Sequence, residues 1–218
     1  MSTTHDTVIT GIGALTPAGH GLNEILDTIK AGTRRANPEA YNLKTFKAAP
    51  HMTDRKILKS VSKSDAIGLV AIETLKKDAA ITAEYFNPDR IGVYSGAIPT
   101  PIHDVEPYRD SMIATRDAGG RIDELEFGKT CMDTMPTVLL VGLPNNVLCY
   151  GSIILDARGP NSNYTSMETS GHIAVLAGAL GDLAHGLLDL GAHVVEGLGQ
   201  EAHLVVAAHV HAGLVGAA

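Results

Sequence analysis

A chain of 218 residues with 44% hydrophobic and 19% charged residues has enough length and apolar content for one substantial α/β domain, and too much apolar content for disorder. Its net charge of −7 and pI near 5.7 argue against an electrostatic grip on nucleic acid or on an anionic membrane. Two cysteines, Cys131 and Cys149, are too few for a disulfide framework or a structural zinc site.

The opening stretch, MSTTHDTVITGIGALTP, lacks the basic region and long apolar run of a secretory signal, so a cytoplasmic soluble protein is expected. TVITGIGALTPAG reads as a short buried strand, Val8 to Ile12, followed by a glycine-rich turn. LNEILDTIKAG is then an amphipathic helix, with Leu22, Ile25, Leu26 and Ile29 on one face and Gly32 as its stop. A polar, turn-rich excursion follows. The next helix is KSDAIGLVAIETLKKDAAI, with Ser64 or Asp65 as its N-cap. NPDRIGVYSGA is turn, strand and glycine turn. Ser111 to Thr134 is polar and weakly helical, and PTVLLVGLPNNVLCYGSIILDARGPN holds two apolar runs around a Pro-Asn-Asn break.

The C-terminal third is patterned differently. Ile173, Leu176, Leu180, Leu183, Leu187, Leu190 and Val194 recur at spacings of three and four, a helical stripe sustained for about three heptads. Gly178, Gly181, Gly186 and Gly191 lie within it, each costing roughly 1 kcal/mol relative to Ala, so tertiary packing has to support this helix. A buried core helix is the plainer reading and a subunit-interface helix the second. Asp182, His185 and Asp189 interrupt the stretch and argue against a membrane span. EAHLVVAAHV reads as a last buried strand. Strands alternating with helices argue for a parallel or mixed α/β sheet in one domain, residues 1–218.

Several motifs invite chemistry. Gly11, Gly13 and Gly19 follow a strand, but Thr16 breaks the spacing of a dinucleotide fingerprint, and no acidic residue ends a second strand about 20 residues on. His203, His209 and His211 are close in sequence without a further ligand set, so no metal is expected. Glu168 and His172 are spaced for one helical turn. Neither Ser95 nor Ser170 sits in a nucleophile elbow. Composition and spacing therefore lead to a soluble α/β domain and no further.

Read together and in order, however, VITGIGALTPAG, SKSDAIGLVAIETLKKDAAI, NPDRIGVYSGA, PTVLLVGLPNN and LDARGPN resemble the N-terminal half of the β-ketoacyl-acyl carrier protein synthases, condensing enzymes with the thiolase fold. The likeness runs from about residue 7 to residue 178. It implies one half of a duplicated fold: a mixed sheet flanked by helices, here with a long glycine-rich C-terminal helix. In that family the nucleophilic cysteine lies at a helix N-terminus, seven residues after the Asn of Gly-Pro-Asn. Counting from Asn161 gives Glu168, with Gly171 matching the glycine that follows the nucleophile by three. A carboxylate suits a helix N-terminus but cannot form the acyl thioester that condensation requires.

Two further departures stand beside Glu168. The family's second half, with its two catalytic histidines, has no counterpart in this sequence. GDLAHGLLDLGAHVVEGLGQEAHL looks like an insertion of a few helical turns. These departures resemble chain-length factors, ketosynthase-like subunits that lack the cysteine, pair with an active ketosynthase and bound the tunnel in which the acyl chain grows. The resemblance therefore implies a non-catalytic subunit, an active ketosynthase and an acyl carrier protein as partners, and no cofactor, nucleic acid or membrane. It places Ile98, Pro99, Thr137, Val138 and Leu139 at the acyl tunnel or dimer seam. Two alternatives stay open. One is a malonyl-thioester decarboxylase using Glu168, like the ketosynthase-like domains with Gln at that position. The other is a stand-alone homodimeric module.

Overall fold

The computed structural model describes residues 6–32, 43, 46–82, 84, 86–97, 106–134, 138–166, 169–185, 190–196 and 203–211. Six strands form one sheet in the order β2-β1-β6-β5-β3-β4. They are β1 (Asp6–Thr16), β2 (Gly19–His20), β3 (Ile91–Gly96), β4 (Asn161–Tyr164), β5 (Leu190–Glu196) and β6 (His203–His211). β3 runs parallel to β4 and β5, whereas β6 is antiparallel to both of its neighbours, β5 and β1. The sheet is therefore mixed, as expected. The helices are α1 (Leu22–Lys30), α2 (Lys63–Asp78), α3 (Glu106–Ala114), α4 (Glu124–Thr134), α5 (Val138–Val141), α6 (Asn146–Leu155) and α7 (Ser170–His185).

β1 runs past the expected Val8–Ile12, and Gly13 continues the strand beyond Gly11 instead of opening a turn. Their role is close approach. A Cβ on Gly13 would lie 1.9 Å from the Ala71 carbonyl oxygen and 2.5 Å from the Leu75 nitrogen, both backbone atoms of α2. A Cβ on Gly11 would meet Ala79. The glycines that invited a phosphate reading are what lets α2 lie directly on the sheet. Every residue of α2 from Asp65 to Leu75 except Thr74 is buried, the pattern of a helix enclosed on nearly all sides. Leu69, Ile72 and Leu75 of α2 join Ile91 and Val93 of β3 and Val147 and Leu155 of α6 in the main core.

Ser62, and not Ser64 or Asp65, is the N-cap of α2. Its hydroxyl accepts from the Asp65 N–H at 3.1 Å, while the Asp65 carboxylate accepts from the Ser62 N–H at 2.9 Å, a complete capping box. The cap falls earlier than expected because Asp65, a capping residue by type, stands at the third helical position. Asp65 also accepts from Asn146 Nδ2 at 3.2 Å, and Asn146 in turn donates to the Leu140 carbonyl at 2.8 Å. One buried carboxylate thus ties the start of α2 to the start of α6 and to α5. Burial holds the Asp65 carboxyl above its ordinary value, against the hydrogen bonds from Ser62 and Asn146.

α7 covers the opposite face of the sheet, giving three layers. It contacts the sheet through small residues. A Cβ on Gly96 at the end of β3 would lie 2.4 Å from the Gly171 nitrogen, and Ala174 is fully buried beside Tyr94. Ser170, Gly171, Ala174 and Gly178 are buried. The glycine-bearing helix is present but shorter than the stripe predicts. It ends at His185, Leu190 and Val194 lie on β5, and Leu187 falls outside the described residues. Residues four apart share a face on a strand as well as on a helix, so the stripe could not reveal the change. The supposed helical insertion likewise carries β5 and the first residues of β6. No helix among the described residues is long and apolar enough to cross a membrane.

Candidate functional site

The carboxyl ends of the parallel strands β3 and β4 open toward the N-termini of α6 and α7, the edge of an α/β sheet where ligands are usually held. Local chemistry builds this edge. The Ala97 N–H donates to the Tyr164 carbonyl at 2.9 Å, extending the β3–β4 pairing by one bond. Thr169 forms a tight turn before α7, its N–H donating to the Ser166 carbonyl at 3.1 Å and its hydroxyl to the same oxygen at 2.9 Å. Asn163 Nδ2 reaches the Pro144 carbonyl at 3.5 Å, which links β4 to the loop that leads into α6. The carboxyl ends of β3 and β4, the start of α7 and the loop before α6 therefore meet on one side of the sheet.

Of the residues singled out from sequence, Glu168, Ile98, Pro99 and Thr137 lie outside the described residues. Val138 and Leu139 open the short helix α5, and their side chains are likewise outside the description. α5 is held at this edge by the bonds from Asn146 to the Leu140 and Val141 carbonyls. His172 is exposed on the first turn of α7. Ser170 is 1% exposed and Ser95 fully buried, which removes both from reach as nucleophiles. His203, His209 and His211 lie on β6, where side chains are not described.

Two buried polar atoms at this edge escaped the sequence reading. Among the described residues, Ser95 Oγ and Asn163 Oδ1 have no hydrogen-bond partner, and Ser95 and Asn163 are cross-strand neighbours in the β3–β4 register. A buried unpaired hydroxyl forfeits its desolvation cost without return. Ser95→Ala is therefore expected to be neutral or to stabilise by up to about 1 kcal/mol, read from urea midpoints at unchanged slope. A loss of more than about 1 kcal/mol would mean that Ser95 has a partner.

The outer side of α7 is the other notable surface. Ile173 and Val175 are each 37% exposed and Leu176 is 60% exposed, and the first charged side chain in the helix is Asp182. Ile173 and Leu176, the first two members of the stripe read from the sequence, thus point away from the sheet, and small residues take the inner face. Leu140 and Leu143, on and just after α5, are exposed as well.

No family model matches this sequence, and no curated protein matches it. Solved structures do. A type II polyketide synthase ketosynthase in complex with its acyl-carrier protein superposes with a TM-score of 0.71 at 14% identity, covering 95% of this chain and 63% of its own. The fold is that of the ketosynthases. A β-ketoacyl synthase from Burkholderia phymatum gives a TM-score of 0.68 at 20% identity, with 95% and 60% covered. The ishigamide ketosynthase/chain length factor gives 0.69 at 13% identity, with 96% and 59% covered. The ketosynthase-like architecture expected from the motifs is thus present across nearly the whole chain. The chain spans about 60% of the length of the structures it matches.

Proposed function

We propose that this protein is a non-catalytic ketosynthase-like subunit that pairs with an active β-ketoacyl-acyl carrier protein synthase and shapes its acyl tunnel, in the manner of a chain-length factor. The observation that carries this reading is the outer side of α7. A helix that follows the nucleophile position in the sequence turns Ile173, Val175 and Leu176 outward beside the exposed His172, with no Asp, Glu, Lys or Arg before Asp182. A solvated helix face carries charged and polar side chains, whereas a contiguous apolar one belongs against a partner. Glu168, at the family's nucleophile position in the sequence, supports a role without thioester chemistry. The ketosynthase/chain length factor among the structural neighbours supports the same kind of pairing.

An acyl carrier protein is the second partner on this reading. Arg55, Lys56, Lys59 and Lys63 are exposed along one short stretch of a chain whose net charge is −7, and they offer a cationic edge to an acidic partner.

Glu168→Gln separates this reading from the decarboxylase alternative. The variant is expected to support condensation by the partner ketosynthase as well as wild type does, and wild type alone is expected to release no carbon dioxide from malonyl thioesters. Malonyl-thioester turnover by the chain alone that disappears in Glu168→Gln would assign it an enzymatic role.

A further inference from the structure

Away from the sheet edge described above, three aromatic rings meet where β2, the 46–51 segment and α2 come together. His20 and His51 lie edge to face with ring centroids 4.8 Å apart, and Phe46 stacks on His51 at 5.2 Å with 16° between the planes. His20 Nε2 is 2.8 Å from the Thr74 hydroxyl of α2, and that hydroxyl donates its own proton to the Val70 carbonyl at 2.9 Å. Thr74 can therefore only accept from His20, which fixes the hydrogen on Nε2 and leaves Nδ1 as the site for a second proton. The His20 backbone N–H donates to Glu24 Oε2 of α1 at 2.7 Å. One residue beyond Met52, Thr53 is fastened to α2 from both ends of a buried carboxylate. Its N–H donates to Glu73 Oε1 at 2.8 Å and its hydroxyl to Oε2 at 3.0 Å.

We propose that His20, His51 and Phe46 form a pH-sensitive latch that fastens the 46–51 segment to α2 while both imidazoles are neutral, and releases it when both are protonated. The groups facing His20 are His51, Glu24 of α1, Lys77 and Thr74 of α2, and Phe46. Burial, His51 and Lys77 all disfavour a charge on His20 and hold its pKa below the usual histidine value; Glu24 opposes them. The closed cluster resists two cations 4.8 Å apart, whereas the opened segment accepts both. Opening is therefore coupled to uptake of about one proton. The Thr53–Glu73 tie stays fastened and acts as the hinge, next to the cations that begin at Arg55.

The sign follows from the depressed value. The free imidazole of the opened state binds its proton near pH 6.5, and His20 in the closed state binds only below that. Closure is complete above about pH 6.5 and weakens as pH falls below it. Amide hydrogen exchange of the whole chain, corrected for intrinsic rates, reads the opening of residues 46–51 from about pH 7.5 to about pH 5.5. The expected result is an opening constant that rises by up to about tenfold per pH unit below about 6.5, while α2 changes far less. His51→Phe keeps an aromatic ring in the stack and His20→Gln keeps a donor to Thr74, and each is expected to flatten the response to that of α2. A 46–51 segment that tracks α2 at every pH in the wild-type chain would overturn the latch. So would the full response surviving in His51→Phe or in His20→Gln.

Discussion

Gly13→Ala is expected to lower stability by about 3 kcal/mol or more, or to prevent folding outright. The added Cβ would stand 1.9 Å from the Ala71 carbonyl oxygen and 2.5 Å from the Leu75 nitrogen. Both are backbone atoms of a helix enclosed on nearly all sides, so neither can move aside as a flexible side chain would. α2 would have to lift from β1, and the core contacts of Leu69, Ile72 and Leu75 would loosen with it. Gly128→Ala is the matching control. Gly128 lies in α4 and a Cβ there meets nothing within 4 Å among the described residues, so the substitution should stabilise by up to about 1 kcal/mol through helix propensity. Urea unfolding of the two variants beside wild type checks both signs. A mild effect of Gly13→Ala would mean that α2 does not lie on β1 as described.

Leu176→Lys is expected to reduce pairing with the ketosynthase by more than about thirtyfold while leaving the fold intact. Leu176 is 60% exposed on α7, so a lysine there costs the folded chain little. On an apolar contact face it would leave an ammonium buried without a counter-charge, which costs several kcal/mol. The isolated variant should also aggregate less than wild type, because it interrupts the exposed apolar patch. Urea unfolding and a titration against the ketosynthase measure the two effects separately. Undiminished pairing in a folded Leu176→Lys variant would place the partner on another face.

The layered α/β fold was legible because its signals are local. Apolar helix patterns, Gly-Pro-Asn before β4 and the strand IGVYSG each mark an element by themselves, and their order carried the ketosynthase resemblance. What the sequence hid depends on which neighbour a residue meets. Gly11 and Gly13 carry the same letters whether they turn a chain or admit a helix, and only the nearness of Ala79, Ala71 and Leu75 decides. The stripe from Ile173 was correctly periodic over α7, yet periodicity alone does not say which face is buried. Gly171 and Ala174 take the sheet side because their small size lets the helix axis approach Gly96 and Tyr94. The buried Ser95–Asn163 neighbours and the His20–His51 contact join segments far apart in sequence. No window of the chain could have shown them.

Pairing with a ketosynthase is the property on which the proposed function stands. It is checked by native mass spectrometry of the chain co-expressed with an active ketosynthase. A 1:1 complex that is lost in Leu176→Lys, with the lone wild-type chain aggregated, is expected. A well-behaved monomer or homodimer that ignores the ketosynthase would contradict it.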